Sequence, residues 1–393
     1  MWRFASLVLC CVAVTSGALV PDYAAYHNLS SAYRRVGALA DAFPGFVRVD
    51  HSFKSRNGLS QLLVRLSNFS DSSHAVGPHV QSFKVKVLLS YGESARELLP
   101  VESILHFLRR VLRGLGAPKD SAEEAFSRAL FSKVDLYIVV LLNPDGRNHV
   151  ERTGDHCWKG TGTGANLGTA FGLDVDRSLR EPECNILLNQ TKTQAFDAFI
   201  SFHSGRREIH LPLTGFRSKK PGSSPANMEA MAELAGAIAE SVQPHLARNE
   251  QTNHAARLSV EGTAFNFMAT VRKIPFSLAV HLWGDGHDLG PDCFAHFNPS
   301  SDSLLENAGG SFTPLYPKRC SFFLIAWKAK QMSLAFNVEH DSPSSTMYLL
   351  MLAAAVVVTL LFVCQHRFPN PMRLNPRRRV ISLKSLSSSL HVS

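Results

Sequence analysis

The run Leu136 to Leu142 (Leu-Tyr-Ile-Val-Val-Leu-Leu) places the strongest limit on what this chain can fold into. A strand with one wet face alternates polar and apolar residues. This one is apolar along its length, as a central strand covered on both sides should be. Three further stretches have the same character: the Val-Lys-Val-Leu-Leu of Val85 to Leu89, Ala195 to Phe202, and Pro275 to Trp283. Each of the four runs into turn-forming or polar residues, at Gly92, Asn143-Pro144-Asp145-Gly146, His203-Ser204-Gly205 and Gly284-Asp285-Gly286. In open α/β sheets, ligand chemistry sits at the carboxyl ends of the strands, so these four exits are where a site is expected.

Between the strands lie helical patterns. Tyr33, Val36, Leu39 and Phe43 mark a helix from Asn28 to about Pro44-Gly45, followed by a strand pair at Phe46 to Val49 and Leu62 to Leu66. Leu98, Leu99, Ile104, Leu105, Leu108 and Val111 form the apolar face of a helix from Glu97 to Leu112. Ser121-Ala122-Glu123-Glu124 is a capping box that opens another helix. A long helix is expected from Pro225 to Leu246 and a last one from Arg319 to Phe336. Strands alternating with helices predict an α/β fold: a single doubly wound, mainly parallel sheet flanked by helices.

The ends differ from this interior. Arg3, the apolar run Leu7 to Val14 and Ser16-Gly17-Ala18 have the layout of a secretory signal peptide over residues 1–18. Residues 347–364 run 18 positions without a charge, enough for one transmembrane helix. Residues 365–393 then hold Arg367, Arg373, Arg377, Arg378, Arg379 and Lys384 with no acidic residue. The positive-inside rule places such a tail in the cytoplasm. The expected organisation is therefore an ectodomain over 19–336, a spacer over 337–346, the span and the basic tail. This is a single-pass type I protein of the secretory pathway or plasma membrane, its bulk luminal or extracellular. The formal charge is +9, of which the tail carries +6 and the signal region +1, leaving +2 on the ectodomain, so nucleic acid is not an expected partner. Four cysteines remain outside. Neighbour pairing predicts Cys157 with Cys184 and Cys293 with Cys320 in an oxidising compartment. Sequons at Asn28, Asn68 and Asn189 agree with that setting.

The order of the strand-end motifs resembles that of the zinc metallocarboxypeptidases, the carboxypeptidase A and B superfamily. There the strand that corresponds to Val85 to Leu89 leads into His-x-x-Glu. This chain has Ser94-Ala95-Arg96-Glu97. Asn143-Pro144-Asp145-Gly146, His203-Ser204, Gly284-Asp285, Asp292-Cys293-Phe294 and Asn298-Pro299 match in order and spacing. The resemblance covers about Tyr26 to Phe336 and implies a carboxypeptidase-like ectodomain.

It also implies a site. The metal ligands fall on Ser94, Glu97 and His203, with a neutral hydroxyl in place of the first imidazole. The general-base glutamate falls on His281, in Val280-His281-Leu282-Trp283-Gly284, and the oxyanion arginine falls on Lys159. The carboxylate-gripping Asn-Arg falls within Ala165 to Gly172, placing substrate-binding positions at Asn166, Gly168 and Thr169. The closing tyrosine falls on Leu258. A second register would set Asp174-Val175-Asp176-Arg177 against the clamp and retain an arginine. Metal, base, oxyanion contact and clamp thus all depart from the family's pattern. The expectation is a membrane-anchored, catalytically inactive ectodomain that binds a peptide or protein in its cleft, with zinc weak or absent. The alternative is an active zinc carboxypeptidase whose site is rebuilt from Glu97, His203 and His281. Glu93, Asp285, His287 and Asp288 flank the site and offer groups for acid–base chemistry, but the expected reading is solvated loop residues. His156 and His210 are given surface or packing roles.

Overall fold

The computed structural model describes residues 20–69, 84–171, 181–212, 227–242, 257–258, 262–284, 286 and 292–304. The chain divides into two compact units, Met1–Ala329 and Lys330–Ser393, and every described residue belongs to the first. The signal region, the 347–364 span, the basic tail, the Arg319 to Phe336 helix, Cys320 and the 174–177 register lie outside the described residues. Among the described residues no helix is long and apolar enough to cross a membrane.

Eight strands form one sheet: β1 (Val47–Asp50), β2 (Leu63–Leu66), β3 (Val85–Ser90), β4 (Val134–Val139), β5 (Ala198–His203), β6 (Ile209–Leu211), β7 (Arg257–Leu258) and β8 (Phe276–His281). Their order is β1-β2-β4-β3-β5-β8-β6-β7. The central strands β4, β3, β5 and β8 are mutually parallel. The flanks correct the expected mainly parallel sheet to a mixed one. β1 with β2, β2 with β4 and β6 with β8 run antiparallel, and β6 with β7 runs parallel. Connection length accounts for one of these reversals. Only residues 204–208 link β5 to β6, too few for the crossover of about a dozen residues that a parallel return needs.

Eight α-helices are described: α1 (Leu29–Ala42), α2 (Leu99–Gly114), α3 (Ala122–Lys133), α4 (Pro144–Thr153), α5 (Asn185–Thr193), α6 (Met228–Val242), α7 (Ala264–Thr270) and α8 (Cys293–Phe297). The side-chain alternation of β3 separates two cores. Val87 and Leu89 pack with Val36 of α1, Leu105 of α2, Phe131 of α3 and Met231 of α6. Leu88 packs on the opposite face with Ile186 of α5 and Phe265 of α7. Both faces of the central strands are therefore dry, and Ile138, Val139 and Val140 are wholly inaccessible. Each such side chain contributes about 1.5–3 kcal/mol relative to exposure.

Two buried amides connect these layers at the strand ends. Asn143 and its Pro-Asp-Gly form the start of α4, where a simple turn was expected: Asn143 Oδ1 accepts from Gly146 N at 2.9 Å, and Pro144 needs no donor in the first turn. Asn143 Nδ2 donates to the carbonyls of Glu93 at 3.2 Å and Gly160 at 3.0 Å. Asn298 does the same work for α2, whose own N-terminal residue, Leu98, has no capping side chain. Its Oδ1 accepts from Leu98 N at 2.7 Å and Leu99 N at 3.1 Å, and its Nδ2 donates to Arg96 O at 2.9 Å.

The disulfide differs from expectation. Cys157 bonds Cys293, their Cα atoms 5.2 Å apart. Cys184 is a free thiol buried in the core under α5, and its burial pushes the thiol pKa up. Nearness in sequence misleads here because Cys184 enters the sheet core while Cys157 lies on an exposed loop.

Two outcomes are expected. Replacing Cys157 and Cys293 together by alanine should lower unfolding free energy in guanidinium titrations by about 3–5 kcal/mol, and peptide mapping should recover the 157–293 link. Asn298→Ala, which orphans two buried amide donors, should cost about 2–4 kcal/mol in the same measurement.

Candidate functional site

Because β3, β5 and β8 are parallel neighbours, their carboxyl ends lie side by side, and His203 pairs in register with His281. The chain leaving β3 follows β4 for a few residues, with Tyr91 N bonded to Val139 O and Asn143 N to Gly92 O. Gly92, at φ +64°, has no room for a side chain against Leu141, so this turn requires glycine. The turn then delivers Glu93 and Glu97 beneath the end of β5. Both carboxylates are buried.

His203 stands between them. Its Nδ1 is 3.3 Å from Glu97 Oε2, and its Nε2 is 3.2 Å from Ser201 Oγ and 3.7 Å from Glu93 Oε2. Glu97 Oε2 also accepts from Ser204 N at 3.0 Å, and Glu93 Oε1 accepts from Ser90 Oγ at 2.8 Å. Burial pulls the His203 imidazole down, but the hydrogen bond to Glu97 and the negative charges of Glu93 and Glu97 outweigh it and raise the pKa to about 9. Burial pushes the Glu93 carboxyl up, partly offset by His203 and Ser90. His281, stacked 5.1 Å from His203 between ring centroids, is held well below the ordinary histidine range by burial and by the positive fields of His203 and His210. Such an imidazole is neutral and a weak base.

A cavity of about 570 Å³ opens over these groups. Glu97, His203, His281, Asn166, Gly168 and Thr169 line it, so six of the expected site residues come together. Two do not line it: Ser94 Oγ is buried without a hydrogen-bond partner, and Lys159 is exposed with its carbonyl accepting from Ala95 N at 3.2 Å. Leu258 falls on β7, in register with Leu211. Asn166 Oδ1 is occupied by Gly168 N at 3.2 Å, capping the short 3₁₀ turn Leu167–Thr169. Glu93, expected in a solvated loop, is instead buried in the cavity wall, because Asn143 clamps its carbonyl. Asp285, His287 and Asp288 lie outside the described residues. His210, given only a surface or packing role, lines the cavity with its Nε2 3.1 Å from Glu208 Oε2. His156 packs on Phe294, as expected of a packing residue.

Sequence reasoning missed two arginines. Arg96, inside Ser94-Ala95-Arg96-Glu97, stacks its guanidinium 3.9 Å over the Phe297 ring, and Arg206 follows His203-Ser204-Gly205 into the cavity wall. Their proximity to two ligand positions was the available signal. The Cys157–Cys293 bond anchors the helix that presents Phe297, and Arg96 Nη1 lies 3.4 Å from Cys157 O.

Residues 33–180 match the zinc carboxypeptidase family, peptidase M14. None of the curated protein sequences matches the chain. Among solved structures, the carboxypeptidase A from Helicoverpa armigera is 18% identical with a TM-score of 0.59, over 78% of this chain and 75% of that one. Bovine thrombin-activatable fibrinolysis inhibitor, solved in complex with tick carboxypeptidase inhibitor, is 17% identical with a TM-score of 0.57, over 79% of this chain and 99% of that one. At such identities the likeness establishes the fold, which is that of the carboxypeptidases.

Among the described residues no three His, Cys, Asp or Glu side chains are grouped to hold a metal ion. The donors at the family's ligand positions depart from its two-histidine, one-glutamate set. One is a neutral hydroxyl, and both nitrogens of the single imidazole face carboxylate or serine oxygens of the protein itself.

In chelator-treated protein, histidine-selective NMR should find His203 titrating near pH 9. A folded value raised above 6.5 means that the ion pair's stabilisation is complete below about pH 6.5 and is lost as pH rises through about 9. Glu97→Gln should lower that titration and flatten the stability profile across the same window. An unchanged titration would remove the ion pair from the account.

Proposed function

We propose that this protein is a membrane-anchored, carboxypeptidase-fold binding protein whose cleft holds a peptide or protein segment without hydrolysing it. One observation carries the reading: His203 is clasped by Glu97 on one side and by Ser201 and Glu93 on the other, while Ser94 offers a hydroxyl at the first ligand position. Hydrolysis in the resembling family needs an ion with an open position for water and a carboxylate base. At the base position stands His281, neutral and weakly basic by virtue of its burial. Loss of a general base alone costs about 10²–10⁴ in rate. The cleft retains what a binding site needs: a cavity walled by the Phe297-stacked Arg96, Arg206 and the apolar Phe265.

The single-pass type I anchorage, with the domain luminal or extracellular, is inferred from the signal-like residues 1–18, the apolar 347–364 and the basic tail. The competing reading, an active zinc carboxypeptidase built on Glu97, His203 and His281, draws on the stacking of the two histidines in one cavity.

Elemental mass spectrometry of the full-length chain, purified without added metal, separates the two. We expect far less than one zinc per chain and no release of any C-terminal residue class from a peptide library. Ser94→His combined with His281→Glu should raise zinc towards one per chain. Turnover by the unaltered protein that a chelator or Glu97→Ala abolishes would overturn the proposal.

A further inference from the structure

The exposed face of α2 carries basic side chains only. His106, Arg109, Arg110 and Arg113 follow one another at spacings of three, one and three, which puts all four on one stripe of the helix. The stripe is about 10 Å long. α1 packs beside α2 and adds Arg35. Arg110 and Arg113 are exposed, and Arg35 and Arg109 half-buried.

No acidic side chain among the described residues pairs with Arg35, Arg109, Arg110 or Arg113. Glu102, one turn before the stripe on the same face, is buried and taken up by His27, whose Nδ1 lies 2.6 Å away. Glu124 of the adjacent α3 is paired with Arg128. The Arg109 guanidinium is held below its ordinary range by partial burial and by Arg113 and Arg35, and its Nε lies buried with no partner. The α2 macrodipole favours Arg113, which lies in the last turn, but gives no reason for Arg109 and Arg110. Like charges at this spacing oppose the helix by a few tenths of a kcal/mol per pair. The chain thus keeps a row of unneutralised arginines at some expense to itself.

We propose that this face, formed by Arg109, Arg110 and Arg113 of α2 with Arg35 of α1, is a binding site for a sulfated polysaccharide. Guanidinium forks match tetrahedral oxyanions two oxygens at a time, and the cations of this stripe are all arginine, never lysine; burial and the neighbouring arginines lower the pKa of His106. A lipid surface fits less well. The leucines and valines of α2, Leu105, Leu108, Val111 and Leu112, are buried in the core, and none remains to enter a bilayer. The choice of sulfate over nucleic-acid phosphate rests on the proposed exterior location. The binding measurement itself does not depend on that location, so either idea can fail alone.

The test is surface plasmon resonance of the full-length chain over immobilised heparin and over desulfated heparin, with salt varied from about 0.1 to about 0.3 M. Binding should require the sulfates and weaken steeply with salt. Arg109→Ala/Arg110→Ala/Arg113→Ala should raise Kd tenfold or more and reduce the log–log salt slope by about 2–3, with an unchanged thermal unfolding midpoint. The triple lysine variant should keep the slope and recover part of the affinity. Arg110→Glu, a single change at an exposed position, should weaken binding on its own. Failure to bind heparin, equal binding by the folded triple alanine variant, or tighter binding to phosphatidylserine vesicles or duplex DNA than to heparin would overturn the assignment.

Discussion

The Glu97 carboxylate holds the centre of this structure together. It lies at the end of the loop that leaves β3, yet its Oε2 accepts from Ser204 N and faces His203 Nδ1 at the end of β5. One buried side chain thereby fixes two strand exits relative to each other, and the cavity opens over that junction. The arrangement needs the parallel alignment of β3, β5 and β8, since an antiparallel neighbour would carry its exit to the far side of the sheet. It also needs the turn at Gly92 and the clamp of Asn143 on the Glu93 carbonyl. Without those constraints the two carboxylates would be free to turn towards water, where a lone ion is better solvated than in a protein interior.

The layered fold was legible because it depends on patterns that any reader of the chain can count. Runs such as Leu136 to Leu142 need two dry faces, and the apolar stripe of α2 needs a sheet to cover. The flanks were less legible. β6 and β7 are three and two residues long, too short for a periodic signal, and their direction follows from how little chain links β5 to β6. Asn143-Pro144-Asp145-Gly146 looked like a turn because a helix start uses the same residues: an Asx cap, a proline that needs no donor, and small polar positions. The disulfide was illegible for a different reason. Sequence neighbours were paired, but the 136-residue separation of Cys157 and Cys293 is closed by folding and leaves no local trace.

The site was legible as a place and less so as a set of contacts. Motif order put Glu97, His203, His281, Asn166, Gly168 and Thr169 near one another, and all six line the cavity. Position in a motif does not give side-chain direction, so Ser94 and Lys159 fall beside the cavity without lining it. Arg96 was passed over between two ligand positions, although its stacking on Phe297 depends on α8 and on the disulfide that anchors it. Contacts of that kind join residues some 200 positions apart, and no window along the chain contains both partners.

Two buried carboxylates near one another demand a positive charge, and the proposed function turns on what supplies it. A bare pair would cost several kcal/mol per ion to desolvate. In the carboxypeptidase-like architecture a metal ion is one answer; here His203 provides another from within the chain, its pKa lifted to about 9 by the carboxylates it neutralises. The remaining lone pairs are met by Ser90 Oγ and Ser204 N, so the group is satisfied internally. Zinc binding would have to undo this. His203 would lose its proton and present one nitrogen to the ion, and Glu97 would give up its contact with that imidazole. Ser94 would return only a hydroxyl. An ion entering such a site displaces interactions already made, whereas a peptide occupying the cavity above it displaces only water. That balance is the physical ground for the proposed reading, in which the cleft holds a ligand without splitting it.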